Sequence, residues 1–171
     1  MDKAASEVLK NLLDGPTPSG YEQPGQAVVE KYLKPYADET RRDVHSNLHA
    51  VVNPKGKCRV MLSGHCDELG LMVMYIDDKG YLYISSVCGV YVPLLQGERI
   101  VIHTANGPGP GAIGLKPIHL IDQKERDSAV SKMLDLWADI GARDKAVAEA
   151  MVRLGDVAHL DSLPLVLRNG H

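Results

Sequence analysis

Four ionisable side chains follow a short apolar run of the sequence almost directly. The run Val60-Met61-Leu62 leads into His65, Cys66, Asp67 and Glu68, within the stretch SGHCDELGLMV. A neutral imidazole is a good ligand for Zn²⁺ or Co²⁺. A carboxylate two residues away can accept the other ring N–H and fix the orientation of the ring. The spacing therefore indicates either a metal ligand with its orienting carboxylate or a loop histidine that hydrogen-bonds locally to Asp67.

The backbone before these residues decides how their side chains are presented. Because Val60 to Leu62 is short and continuously apolar, the sequence predicts a central strand over 60–64, covered on both faces. Ligand sites of open α/β sheets lie past the carboxyl ends of such strands. Residues i and i+2 of an extended chain point the same way, so we expect His65 and Asp67 to share one side.

The pattern of predicted secondary structure changes near residue 70. Before it, apolar residues at helical spacing predict helices over 2–13 and 22–33, and alternating segments predict strands over 40–44 and 48–52. After it, short β-like runs separated by glycine and proline turns predict a small barrel or sandwich. These runs are LMVMYID, GYLYISSV, RIVIHT, GAIGLK, LWADIG and the strand over 157–160, with a helix over 143–154.

This change in pattern divides the chain into three predicted segments. Residues 1–70 read as part of a layered α/β domain, residues 71–160 as a β-barrel, and residues 161–171 as a strand that returns to the α/β part. The last segment contains the apolar run 165–167, followed by an Asn-Gly turn signal. A turn at this position suggests that a longer protein once continued there.

Composition narrows the class of protein. A net charge of -3 and a pI near 6.1 argue against a nucleic-acid partner. No stretch approaches the ~18 apolar residues of a membrane helix, and the N-terminus lacks the apolar core of a signal peptide. Three cysteines without a CxxC pair form no disulfide framework. These features favour a cytoplasmic protein without nucleic-acid or membrane partners.

Two other motifs have simpler interpretations. Residues 109–114 match the dinucleotide fingerprint G-x-G-x-x-G, but a strand-like segment follows where a helix N-terminus would be required, so we interpret the motif as a β-turn. Cys58, Cys66 and Cys88 could be combined with histidines into a zinc site. Their spacing matches no compact Cys/His pattern, and buried free cysteines commonly act as small apolar residues.

Six segments of the chain resemble, in order, those of the dinuclear metallo-aminopeptidases of the tetrahedral (TET) type. SGHCDELGLMV is similar to that family's A-H-x-D-E-x-G-x-M-V stretch. The other five segments are PSGYE at 18–22, NLHAV at 47–51, GAIGLKPIHL at 111–120, DLWADIGA at 135–142 and RLGD at 153–156. The resemblance covers nearly the whole chain, but only the N-terminal half of the family's sequence.

The resemblance implies a fold, an activity and a site. The fold would be a zinc-peptidase α/β domain, present in part, with an inserted small β-barrel that mediates dimerisation. Members remove N-terminal residues from peptides with two divalent ions, zinc or cobalt, that activate a water. His65 matches the first histidine ligand of the metals, and Asp67 matches the catalytic-site aspartate that orients it. Partners would be peptide substrates and further copies of the chain, as a dimer or a dodecamer.

The resemblance also has a gap that leaves alternatives open. The family's remaining metal ligands and its general base follow a glycine-rich turn after a strand like 165–167, so we expect these 171 residues alone to be inactive and not to retain the metals. The first alternative is a non-catalytic fragment or shortened paralogue that acts as an assembly module. A second is a small β-barrel that binds a small ligand by itself.

Overall fold

A computed structural model describes residues 3–120 and 132–162 of the chain. The chain divides into two compact units, with the boundary between Glu68 and Leu69 and the second unit ending at Ser162. Of the return strand predicted over 161–171, residues 163–171 lie outside the described residues.

The described residues of the first unit form two helices and one β-hairpin. Its elements are α1 (Lys3–Leu13), α2 (Gln23–Leu33), a 3₁₀ turn (Lys34–Tyr36), β1 (Glu39–Arg42) and β2 (Leu48–Val51). The strands β1 and β2 pair in antiparallel fashion. Both predicted helices and both predicted strands are thus confirmed, with Pro24 in the first turn of α2, where its missing N–H costs no helical hydrogen bond.

The predicted central strand over 60–64 is wrong. Residues 59–67 have no regular secondary structure, and Val60, Met61 and Leu62 are 81%, 86% and 93% exposed. A strand is covered on both faces only where neighbouring strands and helices flank it. In the described parts of the first unit, β1 pairs with β2 alone and no strand pairs with residues 60–64.

The second unit is a closed antiparallel barrel of six strands. Its strands are β3 (Gly70–Ile76), β4 (Leu82–Val87), β5 (Arg99–Thr104), β6 (Gly107–Leu115), β7 (Leu136–Asp139) and β8 (Val157–Leu160), with a helix α3 (Lys145–Met151) before β8. The order around the barrel is β3-β4-β7-β6-β5-β8, and β8 pairs with β3 to close it. Closure leaves no unpaired edge strand. The predicted barrel is confirmed.

The buried leucine, isoleucine, valine and alanine side chains of the described residues all lie in the barrel unit. Leucine, isoleucine and valine side chains from β3, β4, β5, β6 and β7 fill its interior, and Leu82 and Leu136 are completely buried. In the first unit, by contrast, the described residues that are buried are Thr17, Pro18 and Gly25. Among the described residues, those of the barrel therefore form the packed apolar core.

The glycine motif at 109–114 is neither a nucleotide loop nor the turn that we predicted. All six residues lie within β6, which pairs with β5 on one side and β7 on the other. Gly114 has a packing reason to lack a side chain, because a Cβ there would lie 2.5 Å from the Trp137 Nε1 atom. The motif thus serves the packing of the barrel wall.

Two histidines meet edge to edge on the barrel wall. His103 on β5 and His159 on β8 have their Nε2 and Nδ1 atoms 2.8 Å apart, with ring centroids at 4.9 Å and planes inclined by 15°. The centroid distance is close to the sum of the N···N distance and the two ring radii, so one ring donates an in-plane N–H···N hydrogen bond to the other. Burial, and secondarily the charge of His159, lowers the pKa of His103.

We expect the stability of the barrel to fall as the pH drops below about 6.5, the ordinary pKa of histidine. Because the folded state lowers the pKa of His103, the unfolded chain binds the proton first, and acid favours unfolding until the folded pKa is passed. Urea unfolding between pH 7.5 and pH 5 measures this slope. His103→Gln should flatten it, whereas the exposed His119→Gln should keep it. Equal slopes in His103→Gln and wild type would show that the pair contributes nothing.

Candidate active site

His65 and Asp67 lie side by side in the first unit, as their spacing predicts. The Nδ1 atom of His65 is 2.9 Å from Oδ1 of Asp67, which confirms that the two side chains share one side of the chain. The His65 side chain is 87% exposed, whereas that of Asp67 is 34% exposed. The ring of His65 is thus held at one nitrogen and open to solvent elsewhere.

The hydrogen bonds of Asp67 fix the tautomer of His65. The Ser19 hydroxyl donates to Oδ2 of Asp67 at 2.5 Å, and this bond, followed by that to His65, lowers the pKa of the Asp67 carboxyl. At neutral pH the carboxylate is therefore ionised and accepts hydrogen bonds only. The Nδ1 atom of His65 must then carry the proton and donate it, so Nε2 keeps a free lone pair, the form in which a neutral imidazole binds a metal.

The loop that carries Ser19 is attached to the strand-like segment next to Asp67. The Thr17 N–H donates to Oε1 of Glu68 at 2.9 Å, and the Glu68 N–H donates to the Thr17 carbonyl at 2.8 Å. Pro18 and Glu68 form an isolated parallel bridge. Glu68 therefore has a structural role, because its side chain and backbone hold this loop against residues 67–68.

Cys66 is poorly suited to act as a ligand or nucleophile. Its thiol is half-buried, and burial, followed by the negative charges of Glu22 and Asp67, raises its pKa. The thiolate is the form that binds metals and attacks electrophiles, so this environment keeps Cys66 in the less reactive form. Cys58 and Cys88, the other cysteines considered for a zinc site, are exposed and form no disulfide.

A small open cleft adjoins the pair. It has a volume of about 130 Å³ and is lined by polar groups that include Glu22, His45, His65 and Asp67. Throughout the described residues, no group of three or more His, Cys, Asp or Glu side chains could hold a metal ion together. The site thus offers one imidazole ligand with its orienting carboxylate, and not a complete metal cage.

The sequence alone did not reveal the role of Ser19. It lies 48 residues before Asp67, a separation at which no local periodicity reports a contact. The signal available was the PSGYE segment, which the resemblance singled out without assigning it a task. Ser19, Gly20 and Glu22 all make contacts near the site that depend on how the chain folds back on itself.

Comparison with known proteins defines the family. Residues 46–171 match the M42 glutamyl aminopeptidase family. Lysyl aminopeptidase of Pyrococcus furiosus is 32% identical over 154 residues, which are 88% of this chain and 44% of that protein. The chain therefore belongs to the M42 glutamyl aminopeptidase family, whose members are aminopeptidases and generally use divalent metal ions.

The fold of the chain is similar to that of solved aminopeptidase structures. A TET aminopeptidase of the marine sediment archaeon Thaumarchaeota archaeon SCGC AB-539-E09 superimposes with a TM-score of 0.91 at 32% identity, covering 97% of this chain and 47% of that one. The TET1 peptidase of Pyrococcus horikoshii, which can assemble into a tetrahedron or a large octahedral shell, has a TM-score of 0.80 at 33% identity over 91% of this chain and 46% of its own. The chain has the α/β fold of these enzymes and spans less than half their length.

No helix within residues 3–120 and 132–162 is long and apolar enough to cross a membrane.

Proposed function

We propose that this chain is part of a metal-dependent aminopeptidase that removes N-terminal residues from peptides, and that it supplies the first histidine ligand of the metal centre. His65 would bind one of two divalent ions, zinc or cobalt, through Nε2, and Asp67 would orient its ring. Metal ions in such a centre activate a water molecule and polarise the scissile carbonyl. The observation that carries the proposal is the 2.9 Å contact between His65 Nδ1 and Asp67 Oδ1, in a chain that belongs to this family.

The described residues account for one ligand of such a centre and its orienting carboxylate. His65 has the tautomer and exposure of a ligand, but within residues 3–120 and 132–162 it belongs to no group of three or more side chains that could hold a metal ion. A two-metal site needs more protein ligands than one imidazole. We therefore propose that the other ligands and the general base come from residues outside the described part, and that the 171 residues alone do not hydrolyse peptides.

A chimera tests this function directly. Residues 1–171 would replace the matching half of the Thaumarchaeota TET aminopeptidase, whose fold they share most of the way along the chain. We expect the chimera to hydrolyse aminoacyl-p-nitroanilides, to lose the activity after treatment with a chelator, and to recover it on addition of Zn²⁺ or Co²⁺. The separate 171-residue chain is the matched control. A folded, assembled chimera without metal-dependent activity would contradict the proposal.

A second function is supported by where the core lies. Because the buried aliphatic side chains belong to the barrel, this unit can fold and associate even where the site is incomplete. We propose that the barrel mediates self-association, as a dimer that larger shells are built from, and that a non-catalytic assembly role is the alternative to catalysis. We also propose a cytoplasmic location, because the three cysteines of the chain form no disulfide.

The turn between β4 and β5 supplies the surface for this association. Tyr91 and Leu94 are 68% and 70% exposed, whereas the neighbouring Leu95 is buried in the core. Large exposed apolar side chains of this kind mark contact surfaces. We expect Leu94→Asp to shift the chain toward monomers in analytical ultracentrifugation, whereas Leu154→Asp, at a position that is 63% exposed, should leave the assembly intact. An unchanged sedimentation profile in Leu94→Asp would exclude this surface.

A further inference from the structure

The Asp67 carboxylate is held from two directions by two different partners. Its Oδ1 atom accepts from Nδ1 of His65 at 2.9 Å, and its Oδ2 atom accepts from the Ser19 hydroxyl at 2.5 Å. Both distances lie in the range of hydrogen bonds to a charged acceptor, which are stronger than those between neutral groups. The three side chains thus form a chain of contacts from Ser19 through Asp67 to His65.

A carboxylate with one partner would not fix an imidazole well. The terminal torsion of an aspartate side chain is broad, so a carboxylate held only by an exposed ring can rotate together with that ring. The His65 side chain is 87% exposed and has few neighbours to resist this rotation. A second bond at the other oxygen, from a group that is itself fixed, removes the freedom.

Ser19 meets that requirement because its loop is fixed on both sides. Before it, Thr17 is 3% exposed and Pro18 is fully buried, and both bond or bridge to Glu68. After it, Gly20 adopts a φ of +89°, and its N–H donates to Oε1 of Glu22 at 2.6 Å. A positive φ of this size favours glycine, which has no Cβ to clash with the backbone.

The helix that follows presses on the same loop. A Cβ on Gly25 of α2 would collide with the Cγ2 atom of Thr17. The absence of a side chain at Gly25 therefore lets α2 approach the loop closely. The hydrogen bonds of residues 17–20 and their close packing against α2 thus hold the loop that carries Ser19 in one conformation.

We propose that Ser19 is a positioning residue: its hydroxyl locks the Asp67 carboxylate so that the carboxylate holds His65 as the Nδ1–H tautomer with Nε2 directed outward. The metal-binding consequence rests on the proposed function, whereas the tautomer does not. Ser19 touches neither metal nor substrate in this account. It acts through Asp67, one step further from the ligand nitrogen.

The tautomer of His65 gives a readout that a merely structural role would not move. In the 171-residue chain labelled with ¹⁵N-histidine, ¹⁵N NMR at pH 8 measures the ratio of Nδ1–H to Nε2–H forms. We expect Ser19→Ala to lower this ratio for His65 by ~2- to 10-fold, the effect of one ordinary hydrogen bond. Ser19→Thr, which keeps the hydroxyl, should restore it, and Ser63→Ala, an exposed serine of the same segment, should leave it unchanged.

Folding of the loop is followed in the same samples. The Ser19 side chain is only half-buried, so alanine creates no large cavity, and the amide signals of Thr17 and Glu68 report whether the loop is intact. An unchanged His65 ratio in Ser19→Ala with those signals in place would overturn the inference. A loss of the loop signals in both Ser19→Ala and Ser19→Thr, with no difference between the two variants in the His65 ratio, would overturn it as well.

Measurements of zinc binding distinguish this inference from the proposed function. In the chimera, Ser19→Ala should weaken zinc binding by up to ~10- to 100-fold, the usual range for groups that orient a ligand. If the tautomer shifts as expected but His65→Ala leaves zinc binding unchanged, Ser19 positions His65 and the metal proposal fails. If His65→Ala abolishes zinc binding but Ser19→Ala leaves the tautomer ratio of His65 unchanged, the metal proposal stands and the positioning role of Ser19 fails.

Discussion

Leu82→Ala should destabilise the barrel by ~2–5 kcal/mol, the range for removing a large aliphatic side chain from a packed core. Leu82 is completely buried, and its backbone pairs with Ile76 of β3 and Ala138 of β7. Three strands therefore meet around this side chain, and closure of the barrel limits how far they can collapse into the cavity. Urea unfolding followed by circular dichroism gives the change in the free energy of unfolding.

The matched control is a leucine of the same unit that packs against little. Leu154 is 63% exposed, so Leu154→Ala should change the free energy of unfolding by less than ~0.5 kcal/mol. A difference of under about 1 kcal/mol between the two variants would show that the barrel is not the packed core of the chain. A single domain is stable by only ~5–15 kcal/mol, so the full effect at Leu82 is large enough to leave part of the chain unfolded.

The second large effect is expected at the site. His65→Ala in the chimera should lower kcat/KM by at least ~100-fold, the upper end of what is lost when only the group behind a ligand is changed. The physical reason is that the imidazole supplies the metal bond itself, and the neighbouring Asp67 carboxylate is already occupied by Ser19. Initial rates with aminoacyl-p-nitroanilides at saturating Zn²⁺ measure this loss.

A histidine of the same cleft serves as the control for that variant. His45 also lines the cleft, but no carboxylate of residues 3–120 or 132–162 is hydrogen-bonded to its ring as Asp67 is to the ring of His65. His45→Ala should therefore keep kcat/KM within a few-fold of the wild-type chimera. Equal losses in both variants would mean that the cleft needs any histidine for its shape rather than His65 for its ligand nitrogen.

The parts of the fold that sequence analysis predicted are those that short-range patterns determine. Helix periodicity placed α1 and α2, and the glycine and proline turns after Gly70 separated the strands of the barrel. The shared side of His65 and Asp67 followed from the i and i+2 geometry of extended backbone alone. In each case the deciding information lies within a few residues of the feature.

The errors and omissions depend on contacts between distant parts of the chain. An apolar run such as Val60-Met61-Leu62 shows that a segment can be a buried strand, but burial needs partners, and the described residues supply none. The contact of Ser19 with Asp67 and the close approach of Gly25 to Thr17 leave no local pattern in the sequence. Such contacts become visible only when the folded chain brings the segments together.

The metal content of the His65→Ala chimera tests the central claim most directly. Zinc bound per chain would be measured by plasma mass spectrometry after gel filtration, in parallel for the wild-type, His45→Ala and His65→Ala chimeras. We predict two zinc ions per chain in the first two proteins and a loss of at least one in His65→Ala. Two zinc ions retained in folded His65→Ala would contradict the assignment of His65 as a metal ligand.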